Sequence, residues 1–586
     1  MKKATIITYL SILVILTLFF NFRHANPVQG EIYSITNPSS AAIDKSNWKY
    51  TQLELISEGM VGDSYYPDIA LDSQENIHVV WHDYSNYMSS GTDGAILYRY
   101  FDVVTETWSS IFFISEECDA GSVYSALAID SQDNLHVVWE DTSTYGSSGA
   151  DRDIMYRFYD AATELWQTTE VVSTESTSNS FKPDIVTDND GNVHVCWNDP
   201  TDYNFEGSDY DIFYKYKSIT SGLWTTTKVV SSNFGGGTSD PTLNVDSLGN
   251  IHFFWADATD YLGAGTDYDI FHKIYYPYAD FWSAVYVVST MSNDFSLTPS
   301  IVLDEEDNIH LVWEDSANFL GSGGGEQDIF YRCFIKSLGT WGTTSVVSKE
   351  STSSSYPNSA GQNIALDSEG NVHITWFDPI YGESLWNAVY RILYKDTNIW
   401  SNVDVISMES TSQSRYPIIC IDSADHVYFS WTDDDNLLSS GSDNDIFLRK
   451  YAGPPSQPFL EEIIPNPTNS SNVTLIWSPV PGAKSYTVHR SESHIYSGDT
   501  FSSLASTTNT YYNDTLSAEG VYYYAIVAEN DLGQSIVSNC EYVIYDLSGQ
   551  TTPNGTSFGF SILGTLILLG VLVISLRISR KLRKSN

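Results

Sequence analysis

Four Asp-x-Asp pairs recur along this 586-residue chain inside one phrase, Gly-x-Asp-x-Asp-Ile: Asp151 with Asp153, Asp209 with Asp211, Asp267 with Asp269, and Asp443 with Asp445. Asp93 and Asp328 are half copies. Aspartates alternating beside glycine can supply the oxygen ligands of calcium, the one cofactor this sequence suggests, and can equally cap a turn. No Asp-x-Asp-x-Asp-Gly loop with a distal Glu is present, so an EF-hand is excluded. Upstream of the phrases, Tyr87, Tyr145, Tyr203, Tyr261 and Phe319 each stand six residues after a tryptophan. Tyrosine and aspartate on neighbouring loops suit the faces and hydroxyls of sugars. Asp68 and Asp184 open two apolar segments and could form the carboxylate pair that glycosidic cleavage needs.

The elements that must position these residues are repeats. Trp-x-Asp begins at Trp81, Trp139, Trp197, Trp255, Trp313, Trp376 and Trp431, with steps of 58 residues four times, then 63 and 55. A period this long marks stacked supersecondary units. Each unit carries four short runs rich in β-branched and aromatic residues. In the third they are 182–188, 192–197, 211–216 and 224–230, parted by Asp-Asn-Asp-Gly-Asn and a longer Gly/Asp/Ser loop. Seven units of four strands predict a β-propeller over 45–452. Trp108, Trp166, Trp224, Trp282, Trp341 and Trp400 open the fourth runs; the seventh unit lacks one, and the spare copy, Trp48 to Ser57, lies ahead of the first. That N-terminal strand is expected to complete the seventh blade and close the ring. A phasing with the Trp strand innermost would need no such overlap. The small residues of the Pro-Asp-Ile-Ala strand suit a crowded centre and favour closure.

Other recurring residues read as structural. His78, His136, His194, His252, His310 and His373 precede the Trp by three, and Tyr428 takes the seventh place. Six equivalent histidines round a ring cannot converge on one metal. Arg99, Arg157, Lys215, Lys273, Arg332 and Arg449 share one position on the third strand, which reads as a pairing element, and the Trp-x-Asp aspartates read as loop caps. The five cysteines, Cys118, Cys196, Cys333, Cys420 and Cys540, show neither disulfide nor metal spacing, and the three in predicted strands read as small hydrophobes.

The termini give an address. Lys2 and Lys3 precede an apolar run, so 1–30 reads as a signal peptide. Residues 558–576 are 19 without a charge, roughly 28 Å of helix and enough for a transmembrane span, and the basic tail 577–586 is expected to stay cytoplasmic. The localisation expected is therefore the cell membrane, single-pass, with a large extracellular N-terminal region.

Between propeller and span, 453–546 carries Val473–Trp477, Gly482-Ala483-Lys484-Ser485-Tyr486-Thr487-Val488, and the Tyr-rich 520–530 ending Ala528-Glu529-Asn530. These motifs closely resemble a fibronectin type III domain, which implies a small β-sandwich used as spacer or interaction module. It has no Arg-Gly-Asp. Residues 547–557 would be a stalk, and the sequons Asn469, Asn472, Asn513 and Asn554 mark potential glycoprotein sites. The fold class is thus all-β: a seven-bladed β-propeller plus a fibronectin type III sandwich, with a C-terminal transmembrane helix.

The repeat form Asp-Ser-x-Gly-Asn-x-His-Val-x-Trp resembles sialidase-like propellers. That resemblance implies fold more than activity: sialidases grip a carboxylate with three arginines, and the seven candidate inner strands, read from Pro67, Ser125, Pro183, Pro241, Pro299, Gln362 and Pro417, hold none. The formal net charge of −46, from 74 acidic and 28 basic residues, argues against a nucleic-acid partner. The function expected is a membrane-anchored binding or adhesion protein recognising a carbohydrate or surface protein through its propeller. The alternatives are a propeller-class glycan hydrolase or lyase, and a structural surface-layer component.

Overall fold

The computed structural model describes residues 49–547, apart from 90–92, 147, 150, 204–208, 233, 262, 264, 318–319, 321–326, 352, 359–360, 380–384, 456, 481–482, 496–501 and 531. Trp48, Phe319, the expected signal peptide, stalk, transmembrane helix and tail lie outside the described residues. Among those described, no helix is long and apolar enough to cross a membrane.

Seven antiparallel sheets of four to five strands form in chain order, each from one Trp-x-Asp unit. Their inner strands are Ser64–Leu71, Ser122–Ile129, Phe181–Thr187, Thr238–Val245, Ser296–Leu303, Ile364–Leu366 and Ser414–Ile421. Each packs beside the next, and the last packs beside the first, so the sheets stand as blades of a closed propeller. The second strands, such as Ile77–Asp83, are buried along their whole length, the polar His78, His82 and Asp83 included. The outer strand is broken into two short pieces, Thr107–Trp108 and Phe112–Phe113 in blade 1.

Closure follows the overlap. Lys49–Tyr50 and Glu54–Leu55 pair with the third strand of blade 7, Asp445–Ala452. Ser57 Oγ donates to Asp445 Oδ1 at 2.7 Å, the same contact that Ser173 makes with Asp153 and Ser289 with Asp269 inside single blades.

The recurring polar residues hold the ring together. The Trp-x-Asp carboxylates tie three segments: Asp141 accepts from Ser122 Oγ on the inner strand at 2.6 Å, from Trp139 Nε1 at 3.0 Å, and from the Ser143 N–H at 2.7 Å. His194 sits between Tyr214 Oη at 2.7 Å and Asp188 Oδ2 at 3.2 Å. The third-strand cations reach back to the outer-strand carbonyl of the preceding blade: Arg157 to Ile114 at 2.5 Å, Lys215 to Val172 at 2.8 Å, Arg449 to Ile406 at 2.6 Å. Arg391, which the sequence reading did not include, makes the same contact with Val347.

The sheets correct one detail of that reading. The inner strands begin about three residues before the prolines, so the seventh includes Arg415, a single guanidinium that stands near Asp434.

Beyond the propeller, Asn472–Ile476 pairs with Tyr511–Thr515, while Ser485–Ser491, Ser503–Thr507, Gly520–Asn530 and Glu541–Tyr545 form a second sheet. Trp477, Tyr486, Val488, Tyr524 and Ile526 share one core between them, making a β-sandwich.

Candidate functional site: the channel mouth

Six inner strands slip register near their start, between Tyr65 and Asp68 in blade 1 and at the equivalent place in every other blade except the sixth. Each slip carries a non-glycine residue at positive φ: Tyr66 at 48°, Tyr124 at 50°, Lys182 at 48°, Asp240 at 51°, Thr298 at 53° and Tyr416 at 55°. Left-handed backbone costs an L-residue about 1–2 kcal/mol, and it is least tolerated by a β-branched residue such as threonine. A bulge re-aims a side chain, and six in register put their side chains at one end of the channel. Strain kept at equivalent places in six repeats points to use of that end.

Below the mouth lies a cavity of about 270 Å³ lined by Asp68, Asp184, Asn244 and Gln362 among others. Above it, Lys182 and Asp240 border a cleft with two lobes of about 480 and 400 Å³, which share Lys182, Ser239 and Tyr268. Its walls are aromatic: Tyr124, Phe181, Tyr210, Tyr268, Phe377 and Tyr416. Tyr66 stacks on Tyr416 with ring centres 4.1 Å apart and meets Tyr124 at 4.8 Å.

The middle residue of Trp-x-Asp supplies the polar groups. His82, buried beside these tyrosines, is pushed down to about 3 by burial and is neutral; its Nδ1 accepts the Tyr124 N–H at 3.3 Å. Glu140 pairs with Arg152 at 2.7 Å and accepts the Lys182 N–H; burial raises its pKa. Glu314 is pushed up to about 7, by burial first and then by the Asp240 charge, with Lys182 opposing. Thr298 Oγ1 donates to Glu314 Oε1 at 3.0 Å, while Oε2 has no hydrogen-bond partner. Lys182 and Asp240 form an ion pair. Burial works against the Lys182 ammonium, but Asp240 and Glu140 outweigh it and raise its pKa.

The residues singled out from sequence fall in three places. Asp68 and Asp184 share the channel cavity, and each clamps the adjacent inner strand: Asp68 Oδ2 accepts the Leu127 N–H at 2.8 Å, and Asp184 Oδ2 accepts from Thr242 Oγ1 at 2.8 Å and Leu243 N at 3.0 Å. Burial pushes Asp68 up to about 7 against its backbone donors. Tyr87, Tyr145, Tyr203 and Tyr261 border neither cavity nor cleft and pack on blade cores, as Tyr261 does on Phe234 at 5.1 Å. The Asp-x-Asp phrases sit where one blade crosses to the next; the Tyr268 carbonyl between Asp267 and Asp269 accepts the Ser296 N–H at 2.7 Å. Sequence reasoning missed the mouth itself. The signal was present: within an otherwise constant Trp-x-Asp the middle residue changes through His82, Glu140, Asn198, Ala256, Glu314, Phe377 and Thr432.

No protein-family model matches the sequence, and no curated protein is significantly similar to it. Solved structures with a similar arrangement include the polysaccharide lyase Uly1, at 11% identity and TM-score 0.44, covering 66% of this chain and 90% of that one. A fungal alcohol oxidase in complex with copper gives 11% identity and TM-score 0.43 over 85% of this chain and 100% of the other. The Hadza microbial sialidase Hz136 gives 9% and 0.37 over 65% and 74%. Likeness at these scores carries no argument about activity.

Proposed function

We propose that this chain is a glycan-active enzyme of the propeller class, a glycoside hydrolase whose substrate lies in the aromatic cleft over the channel. The observation that carries this is Glu314: a buried carboxyl near neutral pKa, with one oxygen unpartnered, on the wall of an open cleft. A carboxyl that keeps its proton near pH 7 can donate it to a glycosidic oxygen. Asp240, ion-paired with Lys182 on the same wall, is placed to stabilise the positive charge that develops on the sugar ring. The tyrosine walls offer stacking faces to pyranose rings.

A binding role stands as the second reading, supported by the Tyr66–Tyr416 stack at the mouth. We place both readings outside the cell, on a protein held by its C-terminal apolar segment, with a sandwich of fibronectin type III kind as spacer. The charged ends of 1–30 and 558–586 support this topology; protease added to intact cells should remove the propeller and spare the tail.

The deciding experiment incubates the purified chain and Glu314→Gln with a panel of neutral and uronate-containing polysaccharides. Released reducing ends that Glu314→Gln abolishes support a hydrolase. Products with the ultraviolet absorbance of an unsaturated uronate would make it a lyase. Glycan retained by both proteins without turnover would leave a binding protein.

A further inference from the structure

The Asp-x-Asp phrases contain carboxylate oxygens that no protein donor satisfies. Asp269 is 2% exposed; its Oδ1 accepts from Ser289 Oγ at 2.6 Å, yet its Oδ2 has no partner, and neither has Asp267 Oδ2. The pattern repeats in blade 7, where Asp445 is 1% exposed, Ser57 occupies its Oδ1, and Oδ2 of both Asp443 and Asp445 is unpartnered. In blade 3 it recurs at Asp209 Oδ2, whose carboxylate lies within electrostatic reach of the next blade's Asp257, itself 0% exposed with its Oδ2 unpartnered. A buried acceptor without a donor costs about 1–3 kcal/mol, more when charged. A single orphan could be an accident of packing; equivalent atoms in three repeats require one explanation.

A cation meets the need. It pairs with several oxygens at once and asks for no donor geometry. Among the described residues no three His, Cys, Asp or Glu side chains already converge on a metal position. The ion must therefore take part of its shell from carbonyls or water, which the flexible oxygen coordination of calcium permits and the strict octahedron of magnesium tolerates less well. We propose that the blade 3/4, 4/5 and 7/1 junctions each bind one calcium ion at the Asp-x-Asp phrase.

The fourth phrase provides an internal control. Asp153 Oδ2 accepts the Gly149 N–H at 3.2 Å, so the protein supplies the missing partner itself. Asp151 and Asp153 are thereby set apart from the three binding pairs.

The test is calcium binding to the full chain in mild detergent, after chelation, by equilibrium dialysis with radioactive calcium at fixed ionic strength. Saturable uptake of three ions per chain is expected, with dissociation constants of about 10⁻⁴ to 10⁻³ M. Asp267→Asn with Asp269→Asn should reduce the count to two, and Asp151→Asn with Asp153→Asn should leave three. Should the first variant fail to fold, Asp443→Asn, which keeps the Ser57–Asp445 bond, should also give two. No saturable uptake, or equal loss from the blade 2 variant, overturns the proposal and leaves a diffuse attraction of cations to an acidic chain.

Discussion

Ser57 and Asp445 are hydrogen-bonded at 2.7 Å although 388 residues separate them. The serine belongs to the N-terminal strand and the aspartate to the last blade, so this buried contact is the ring's latch. Elsewhere the same Ser–Asp pair lies within about 20 residues, as in Ser231 with Asp211.

Ser57→Ala should therefore lower the thermal midpoint of the whole propeller. The lost bond takes the Ser57 hydroxyl from a buried Asp445 Oδ1, a cost of about 1–3 kcal/mol. Deleting 49–58 should be far more damaging. A calorimetric transition equal to the parent's after that deletion would show that the strand is ornamental.

Arg449→Met should destabilise by a similar amount, about 1–3 kcal/mol. The guanidinium is 2% exposed and serves the Ile406 carbonyl in the preceding blade, an acceptor that methionine leaves buried and unpaired. Urea denaturation checks it; a midpoint within error of the parent's would mean that water replaces the clip.

Thr298→Gly should separate stability from turnover. Glycine relieves the left-handed backbone, worth about 1–2 kcal/mol, and removes the hydrogen bond to Glu314, worth about 1–2 kcal/mol. The melting temperature should stay near the parent's while turnover falls at least tenfold. A large loss of stability would place the strain account in error.

Glu314→Gln should change the pH dependence of stability. An unfolded glutamate titrates near 4.3, whereas the folded group is pushed up to about 7. The native state then holds the extra proton between those values, so this group's favourable contribution is complete below about pH 4 and is lost as pH rises through about 7. Parent and variant should melt alike near pH 4, and the variant should melt higher near pH 8. Identical differences at both ends would show that folding leaves the Glu314 pKa where the unfolded chain has it. Turnover by the parent should fall above about pH 7 as the acid loses its proton.

How much of this was legible beforehand differs between scaffold and site. The Trp-x-Asp period, the spare strand at Lys49 and the structural histidines could be read because each depends on residue type and spacing. The mouth could not. Tyr66-Pro67, Lys182-Pro183 and Thr298-Pro299 read as extended chain, since a following proline favours the β region. Their left-handed backbone is imposed by the bulge. The partners of the Asp-x-Asp residues were hidden for another reason: Ser289 and Ser57 lie on strands whose Val-Val-Ser or Ile-Ser endings carry no mark of function. Glu314 was overlooked because it stood inside a motif taken as constant.

The latch also sets an order of events in synthesis. Leu53, Leu55 and Ile56 leave the ribosome ahead of every blade, yet their apolar neighbours, Phe447 and Leu448 among them, are made almost 400 residues later. Until then blade 1 can pair within itself, but the N-terminal strand has no partner, and a short greasy strand waits in the open. Newly made chains carry that liability until Asp445–Ala452 has been made, and a second chain's blade 7 offers the same edge as their own. Crowded ribosomes on one message thus give the first strand a choice of rings to close.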